Sequence, residues 1–497
     1  MIRLATSNNQ KSTRKTSKER ILVVSRPEGK EIDEPLGTQC LKRIIEQEFG
    51  NKVYVEHSFG NLPDRKYDHV HISCCNDPEK AAEAYRKYAQ SAKLITIGGA
   101  YATLYPDKVL RSCPKAICVI GEGEISALRM TNAAMNGTDL RSVPNIVFMQ
   151  NGKLIRTHRE TLDLGCIKCT LNHDFLDLIV GGMLVRMETS RGCDHKRCTF
   201  CTIPLKYNGA MRRDFPIELV KEEMIQLSKR GVRSVCFTDE EFIGKDLRRA
   251  EEVVRTIREL KAGGLIREDM KFMAGVSVKL IKGGSEEHFE SAKELLRSMK
   301  RAGFDTVFIG IESGSKTQLK RYGKGVTPED NEDVLNFLEA EGIGADIGFI
   351  MFDPLMSFQE LEENIDFILR NGLHKKASRV IKKMIVIQGT PYERMVRKKL
   401  KIPDHREICK DSTDIYIDPK VRAVMETIPV EELSCDDSYT IQSRMRMGLG
   451  STEDEEKIRG YRKEEMQKLI EAVAVSRKYG NGDSERLSIR GREEVCQ

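Results

Sequence analysis

Twice along this chain, short runs of β-branched and aliphatic residues alternate with longer stretches of helical periodicity. That repeated alternation restricts the fold to parallel-sheet α/β architectures. In the first series, ILVV from Ile21, KVYVEH from Lys52, HVHISC from His69, KLITIGG from Lys93 and AICVIGEG from Ala116 read as strands. Between them, Leu36, Cys40, Leu41, Ile44 and Ile45 recur at helical spacing. Five strands separated by helices predict a doubly wound, Rossmann-like parallel sheet over residues 21–140. Ligands of such sheets sit outside the carboxyl ends of the strands. Gly98, Gly99, Gly121 and Gly123 fall at those ends, where a glycine lets a backbone approach a bulky ligand.

A hairpin follows over Val143–Thr157, with Asn151-Gly152 as its turn, and residues 141–182 as a whole read as hairpin and connector. The second series then runs through LVRMET (Leu184), SVCFTD (Ser234), FMAGVSV (Phe272), TVFIGIE (Thr306), DIGFIMF (Asp346) and KMIVIQ (Lys383). Six strand–helix units predict a (β/α)6 partial TIM-type barrel over 183–400. The residues with unusual chemistry cluster where these strands end: three cysteines, Asp239-Glu240, Ser277 to Lys279, Glu312-Ser313 and Gln388-Gly389. That carboxyl-terminal rim is where barrels build active sites. Residues 401–497 form a highly charged extension with a helix predicted over Glu453–Lys478. Residues 1–20 are basic, rich in Ser and Thr, and read as a disordered tail.

Fourteen cysteines stand in the 497 residues, scattered rather than laid out as a disulfide framework. This usage points to a reducing, cytoplasmic setting, with clustered thiols serving metal or redox chemistry. Cys40, Cys118 and Cys236 lie in apolar segments and read as small buried hydrophobes. Cys193, Cys198 and Cys201 instead crowd into nine residues just after a strand. A tetrahedral zinc site needs a fourth ligand, which His195 or a distant cysteine would have to supply. A 4Fe–4S cluster normally takes four thiolates. Held by three, it keeps one iron open to an exogenous ligand.

Ser190-Arg-Gly-Cys193, followed by Cys198-Thr-Phe-Cys201, resembles the cluster loop of the radical S-adenosylmethionine (SAM) superfamily. Phe200 matches the aromatic that family carries before its last cysteine; the first gap holds four residues where three are usual. The resemblance implies that the open iron is chelated by the methionine end of SAM. Reductive cleavage of SAM then yields a 5′-deoxyadenosyl radical. Phe308-Ile-Gly-Ile-Glu312-Ser313-Gly-Ser315 with Lys324-Gly325 resembles the family's fourth-strand motif, which places Glu312 and Ser313 near the methionine and ribose. Gly348-Phe-Ile-Met-Phe-Asp-Pro354 resembles the fifth-strand motif and Gln388-Gly-Thr-Pro391 the sixth-strand ending. Asp239, Glu240 and Ser277 complete the expected SAM-facing rim.

Residues 20–140 resemble the cobalamin-binding-type domain of one branch of this superfamily, through Gly98-Gly99 to Thr103 and Val119 to Glu124. Cobalamin on Gly98, Gly99, Thr103, Gly121 and Gly123 would lack an axial protein imidazole, because no Asp-x-His-x-x-Gly follows the first strand. Cys166 and Cys169 form a further Cys-x-x-Cys without a second pair, and read as unligated thiols. The resemblance implies an enzyme, a methyltransferase acting on an unactivated centre, fed by an electron donor such as flavodoxin or ferredoxin. Cobalamin-independent rearrangement, cyclisation or oxidation of a small molecule is the alternative, and a zinc-stabilised binding module the non-enzymatic one. The substrate, small molecule or peptide, is not named by any motif. A net charge of +6 is too small to mark a nucleic-acid footprint, and no apolar run reaches the length of a membrane span.

Overall fold

The computed structural model describes residues 18–25, 34–179, 185–376, 378–408, 414–428, 441–442, 445 and 450–479. Most of the basic first segment, the end of the connector, the start of LVRMET and much of the C-terminal extension lie outside the described residues. The chain divides into two compact units, Met1–Gly192 with Thr202–Leu227, and Cys193–Cys201 with Ser228–Gln497.

The first unit is built on a seven-stranded sheet. Its strands are β1 (Glu19–Ser25), β2 (Val53–Phe59), β3 (His69–Ser73), β4 (Leu94–Gly98), β5 (Ile117–Val119), β6 (Ile146–Gln150) and β7 (Lys153–Arg156). The order is β2-β1-β3-β4-β5-β6-β7, with β1 to β5 parallel and β6 and β7 antiparallel. Both faces are covered, and the alternation of β1 shows how. Leu22 and Val24 pack with Val70 and Ile72 against Ala81 and Tyr85 of helix Pro78–Tyr88. Ile21 and Val23 pack on the other face against Ile44, Ile45 and Ala127. Asp77 starts the helix Pro78–Tyr88 by accepting from the amides of Glu79 (3.0 Å) and Lys80 (3.1 Å). The hairpin turn has left-handed φ at both Asn151 (50°) and Gly152 (72°), the geometry that joins antiparallel strands tightly.

In the second unit four parallel strands lie side by side in the order Gly344–Phe349, Phe304–Glu312, Lys271–Val276, Ser234–Phe237. Helices Arg248–Ala262, Glu286–Ala302, Pro328–Ala340 and Phe358–Arg370 alternate with them in sequence. The last two begin with reciprocal caps, Thr327 with Asp330 and Ser357 with Glu360. Val307, Ile309 and Ile311 of the central strand are fully buried, while Thr306, Phe308, Gly310 and Glu312 point to the opposite, inner face. KMIVIQ of the sixth repeat makes only a single bridge, Lys383 to Phe352, so the barrel's last strand is vestigial. The helix Thr452–Tyr479 buries Ile458, Met466, Leu469 and Val473. Near its end Arg477 pairs with Glu362 at 2.5 Å and Ser476 donates to the Lys420 carbonyl at 3.0 Å. No helix among the described residues is long and apolar enough to cross a membrane.

Candidate functional site

Cys193, Cys198 and Cys201 are thiols, each partly exposed, on one loop of the second unit. Burial raises the Cys193 thiol above its ordinary pKa and pushes Cys198 up to about 12. Among the described residues no group of three or more His, Cys, Asp or Glu side chains converges on one metal ion. A cluster spreads its thiolates over separate irons, and three closely spaced thiols are a donor set that fits one with an open iron.

Two of the four residues in the first gap, Asp194 and His195, are anchored within this unit. Asp194 accepts from the Lys245 amide at 3.0 Å. His195 Nε2 lies 2.8 Å from the Gly323 carbonyl. Thr199, between the second and third cysteines, has all three of its polar groups engaged. Its amide donates to the Tyr322 carbonyl (2.8 Å), its carbonyl accepts from the Tyr392 amide (2.8 Å), and its hydroxyl donates to the Arg321 carbonyl (3.0 Å). The Phe200 ring meets Tyr322 edge-on at 5.4 Å, so it anchors the loop from below.

Glu312 ends the central strand with φ at +64°, a conformation rare outside glycine, beside an irregularity in strand pairing. Its carboxylate folds back over Gly310, where a Cβ would collide with Oε1 and would stand 3.2 Å from Lys324 Nζ. Lys324 pairs with Glu312 at 3.5 Å and is buried. Burial opposes its charge, but Glu312 and the thiols of Cys198 and Cys193 outweigh that and raise its pKa. Two of the cysteines, Glu312 and Lys324 thus form one electrostatic group.

The other rim residues have mixed fates. Asp239 is buried at the end of its strand. Next to Glu240, Glu241 is the acid that shapes the loop: its carboxylate accepts from the amides of Ile243 (3.1 Å) and Gly244 (2.7 Å) and adds negative charge beside Cys193. Ser277 precedes the short helix Val278–Lys282 without a side-chain cap. Ser313 differs from the expectation that it faces SAM: its hydroxyl is fully buried, 2.5 Å from Gln318 Oε1 and 2.8 Å from Asn364 Oδ1. Phe308, named only as part of a motif, keeps 40% of its surface exposed on the inner face of a central strand. An aromatic left open there is a platform for a flat ligand.

In the first unit the glycines answer to the chain itself. At Gly99 (φ +100°) a Cβ would stand 2.6 Å from the Cys74 carbonyl, and at Gly121 (φ +78°) it would collide with the Lys206 carbonyl. At Gly123 it would meet the Leu41 side chain at 3.3 Å; only at Gly98 does it reach ordinary contact, 3.6 Å from Val119. Thr103 donates to the Gly99 carbonyl (2.8 Å) and accepts from the Gly121 amide (2.9 Å), clamping two strand ends together. The expectation that Gly99 and Gly121 are small to admit a corrin is therefore replaced by close backbone packing. Glu122 and Glu124 of the same turn accept from Arg191 at 3.1 and 2.7 Å, and Glu188 joins them at 2.9 Å. No spacing rule marks that buried ion cluster in the sequence.

The sequence model of the radical SAM superfamily matches residues 187–368. A 4'-phospho-dehydrooxetanocin synthase of Priestia megaterium is 32% identical over 338 residues, which is 65% of this chain but only 44% of that protein. An uncharacterised methyltransferase of Pyrococcus horikoshii is 27% identical over 354 residues, covering 67% of this chain and 72% of its own length. The cobalamin-dependent SAM radical enzyme OxsB, solved with aqua-cobalamin and SAM bound, superimposes with a TM-score of 0.74 at 21% identity, over 97% of this chain and 76% of OxsB. Residues 187–368 thus match the radical S-adenosylmethionine superfamily, and the chain shares its fold with OxsB.

Proposed function

We propose that this chain reductively cleaves SAM at a 4Fe–4S cluster held by Cys193, Cys198 and Cys201, and uses cobalamin to methylate an unactivated centre of its substrate. The observation that carries the reading is the grouping of Cys193 and Cys198 with buried Lys324 and strained Glu312 at one strand end. When bound, SAM at the cluster would supply a 5′-deoxyadenosyl radical and cobalamin a transferable methyl. The chain's own work is to bind and orient. Each thiol gives up its proton to bind one iron. Glu312 and Lys324 present one negative and one positive charge, complementary to the zwitterionic methionine end of SAM. Phe308 offers its open face to a flat ring, and Asp239 and Glu240, just past the end of the strand Ser234–Phe237, would accept from ribose hydroxyls. In the first unit, the carboxyl edge of β3 to β5 near Gly98 would hold cobalamin, without a histidine beneath it.

An electron donor of the flavodoxin or ferredoxin class would supply the reducing electron. A second reading, radical rearrangement or oxidation without methyl transfer, is favoured by the Priestia relative, which is named a synthase. Anaerobic turnover with substrate candidates distinguishes the two. Methyl transfer yields S-adenosylhomocysteine alongside 5′-deoxyadenosine, whereas the second reading yields only the latter. Protein that takes up neither iron nor cobalamin under anaerobic reconstitution would overturn both.

A further inference from the structure

Asp353 is fully buried, and its carboxylate accepts five hydrogen bonds. Oδ2 takes Gln318 Nε2 (2.8 Å), Arg321 Nη2 (2.8 Å) and the Tyr322 hydroxyl (3.0 Å). Oδ1 takes the Leu355 amide (2.7 Å) and the Tyr392 hydroxyl. Three of these donors, Arg321, Tyr322 and Tyr392, are the residues whose main chains bond the hydroxyl, amide and carbonyl of Thr199. One carboxylate thus grips from below every residue that grips the middle of the Cys198–Cys201 loop. A fourth donor, Gln318, lies 2.5 Å from the Ser313 hydroxyl, next to Glu312.

We infer that Asp353 is a positioning residue for the cluster: it sets the loop between Cys198 and Cys201 in register with Glu312, without touching iron or SAM. The inference rests on the cluster reading above. A buried carboxylate with every lone pair occupied makes a stiff hub, because loss of one donor leaves desolvated charge uncompensated. Alternative uses of Asp353 are closed off by the geometry. It has no exposed surface to meet a ligand, and its five donors already include two tyrosine hydroxyls, a guanidinium, an amide side chain and a backbone amide.

The test uses the full chain, reconstituted anaerobically with iron and sulfide. Asp353→Asn turns one acceptor into a donor facing other donors, and Tyr392→Phe and Tyr322→Phe each remove a single hydroxyl with the ring retained. Three quantities are read: iron retained per chain, the rate of iron loss to a strong chelator, and the paramagnetic spectrum of the reduced cluster with its midpoint potential. Asn371→Ala, which removes hydrogen bonds to Glu332 and the Phe367 carbonyl in the same unit, serves as the control of comparable destabilisation. We expect each tyrosine variant to lose iron about tenfold faster than wild type, the equivalent of one hydrogen bond to a charged group, with a changed spectrum. The control should match wild type in both. A folded Tyr392→Phe with wild-type iron loss, spectrum and potential would overturn the inference even if Asp353→Asn fails to fold. A wild-type chain that binds no iron would instead overturn the cluster reading, and this inference with it.

Discussion

Arg191 donates to Glu124 at 2.7 Å across 67 residues of sequence, tying the segment that leads into the cysteine loop to the Gly121–Glu124 turn. The guanidinium is buried, also meets Glu122 and Glu188, and lies over the Phe215 ring at 5.4 Å. Burial penalises its charge, but the carboxylates outweigh that and raise its pKa, while Glu124 is held below the usual carboxylate range. Replacing Arg191 by Met strands those carboxylates in the interior, and breaking such a pair costs about 3–5 kcal/mol. Denaturant unfolding should show that loss, and Glu124→Gln should show a smaller one.

Replacing Cys193, Cys198 or Cys201 by Ala should each abolish iron retention and 5′-deoxyadenosine production, because each supplies one of three protein ligands. Cys166→Ala should leave both intact; that thiol is exposed and its bond is to Asp163. Iron analysis and single-turnover product assays check the contrast. Full iron and activity in any one of the first three variants would remove that residue from the ligand set.

Glu312→Gln should weaken SAM binding about tenfold or more while iron content stays at the wild-type level, as expected for one charge-assisted contact. Lys324→Met leaves Glu312 without its ion-pair partner and should weaken binding too. The double variant should be less than additive. Equilibrium binding to the reconstituted protein measures all three.

Two histidines of the first unit set opposite limbs of the pH–stability profile. His173 lies between Glu34 (2.5 Å) and Glu223 (3.2 Å). Burial disfavours its charge, but those bonds prevail and hold its pKa at about 9, against 6.5 for an ordinary imidazole. The stabilisation it adds is complete below about pH 6.5 and is lost as pH rises through about 9. His71 is fully buried against Thr96, and burial lowers its pKa to about 3. The neutral form is the folded one, so its contribution is present above about pH 6.5 and lost as pH falls toward 3. Urea unfolding should therefore be most resistant near pH 6.5 to 7. His173→Gln should flatten the alkaline limb alone.

Gly98→Ala should fold with near-normal stability, whereas Gly99→Ala should be destabilised even without cobalamin, by left-handed φ and by the Cys74 carbonyl. Thermal melts of the cofactor-free protein compare them. Equal melts would return Gly99 to the list of residues kept small for a ligand.

These glycines show where sequence and structure part. The strand ends were legible because Ile97-Gly98-Gly99 breaks an apolar run, but what fills the missing Cβ comes from residues 25 and 85 positions away, Cys74 and Lys206. ILVV of β1 is apolar at every position because successive side chains point to opposite faces and both faces are covered. KMIVIQ has the composition of a strand, yet only Lys383 finds a bridging partner, and composition carries no information about pairing. The three cysteines share one short loop, as their spacing requires. Lys324 was legible only as part of a Lys-Gly pair, because its importance lies in burial beside Glu312. Ser313 was misjudged for the converse reason: a serine at a strand end looks available, and here Gln318 and Asn364 have claimed its hydroxyl.

The Glu312 carboxylate occupies the volume that a side chain at position 310 would need. Heritable change at those two positions is therefore not independent. Alanine at 310 would push the carboxylate end of Glu312 away from its place beside Lys324, a shift that its flexible side chain can make only by giving up that pairing. In a library randomised at both sites and selected for SAM binding, glycine and glutamate should be recovered together more often than separately.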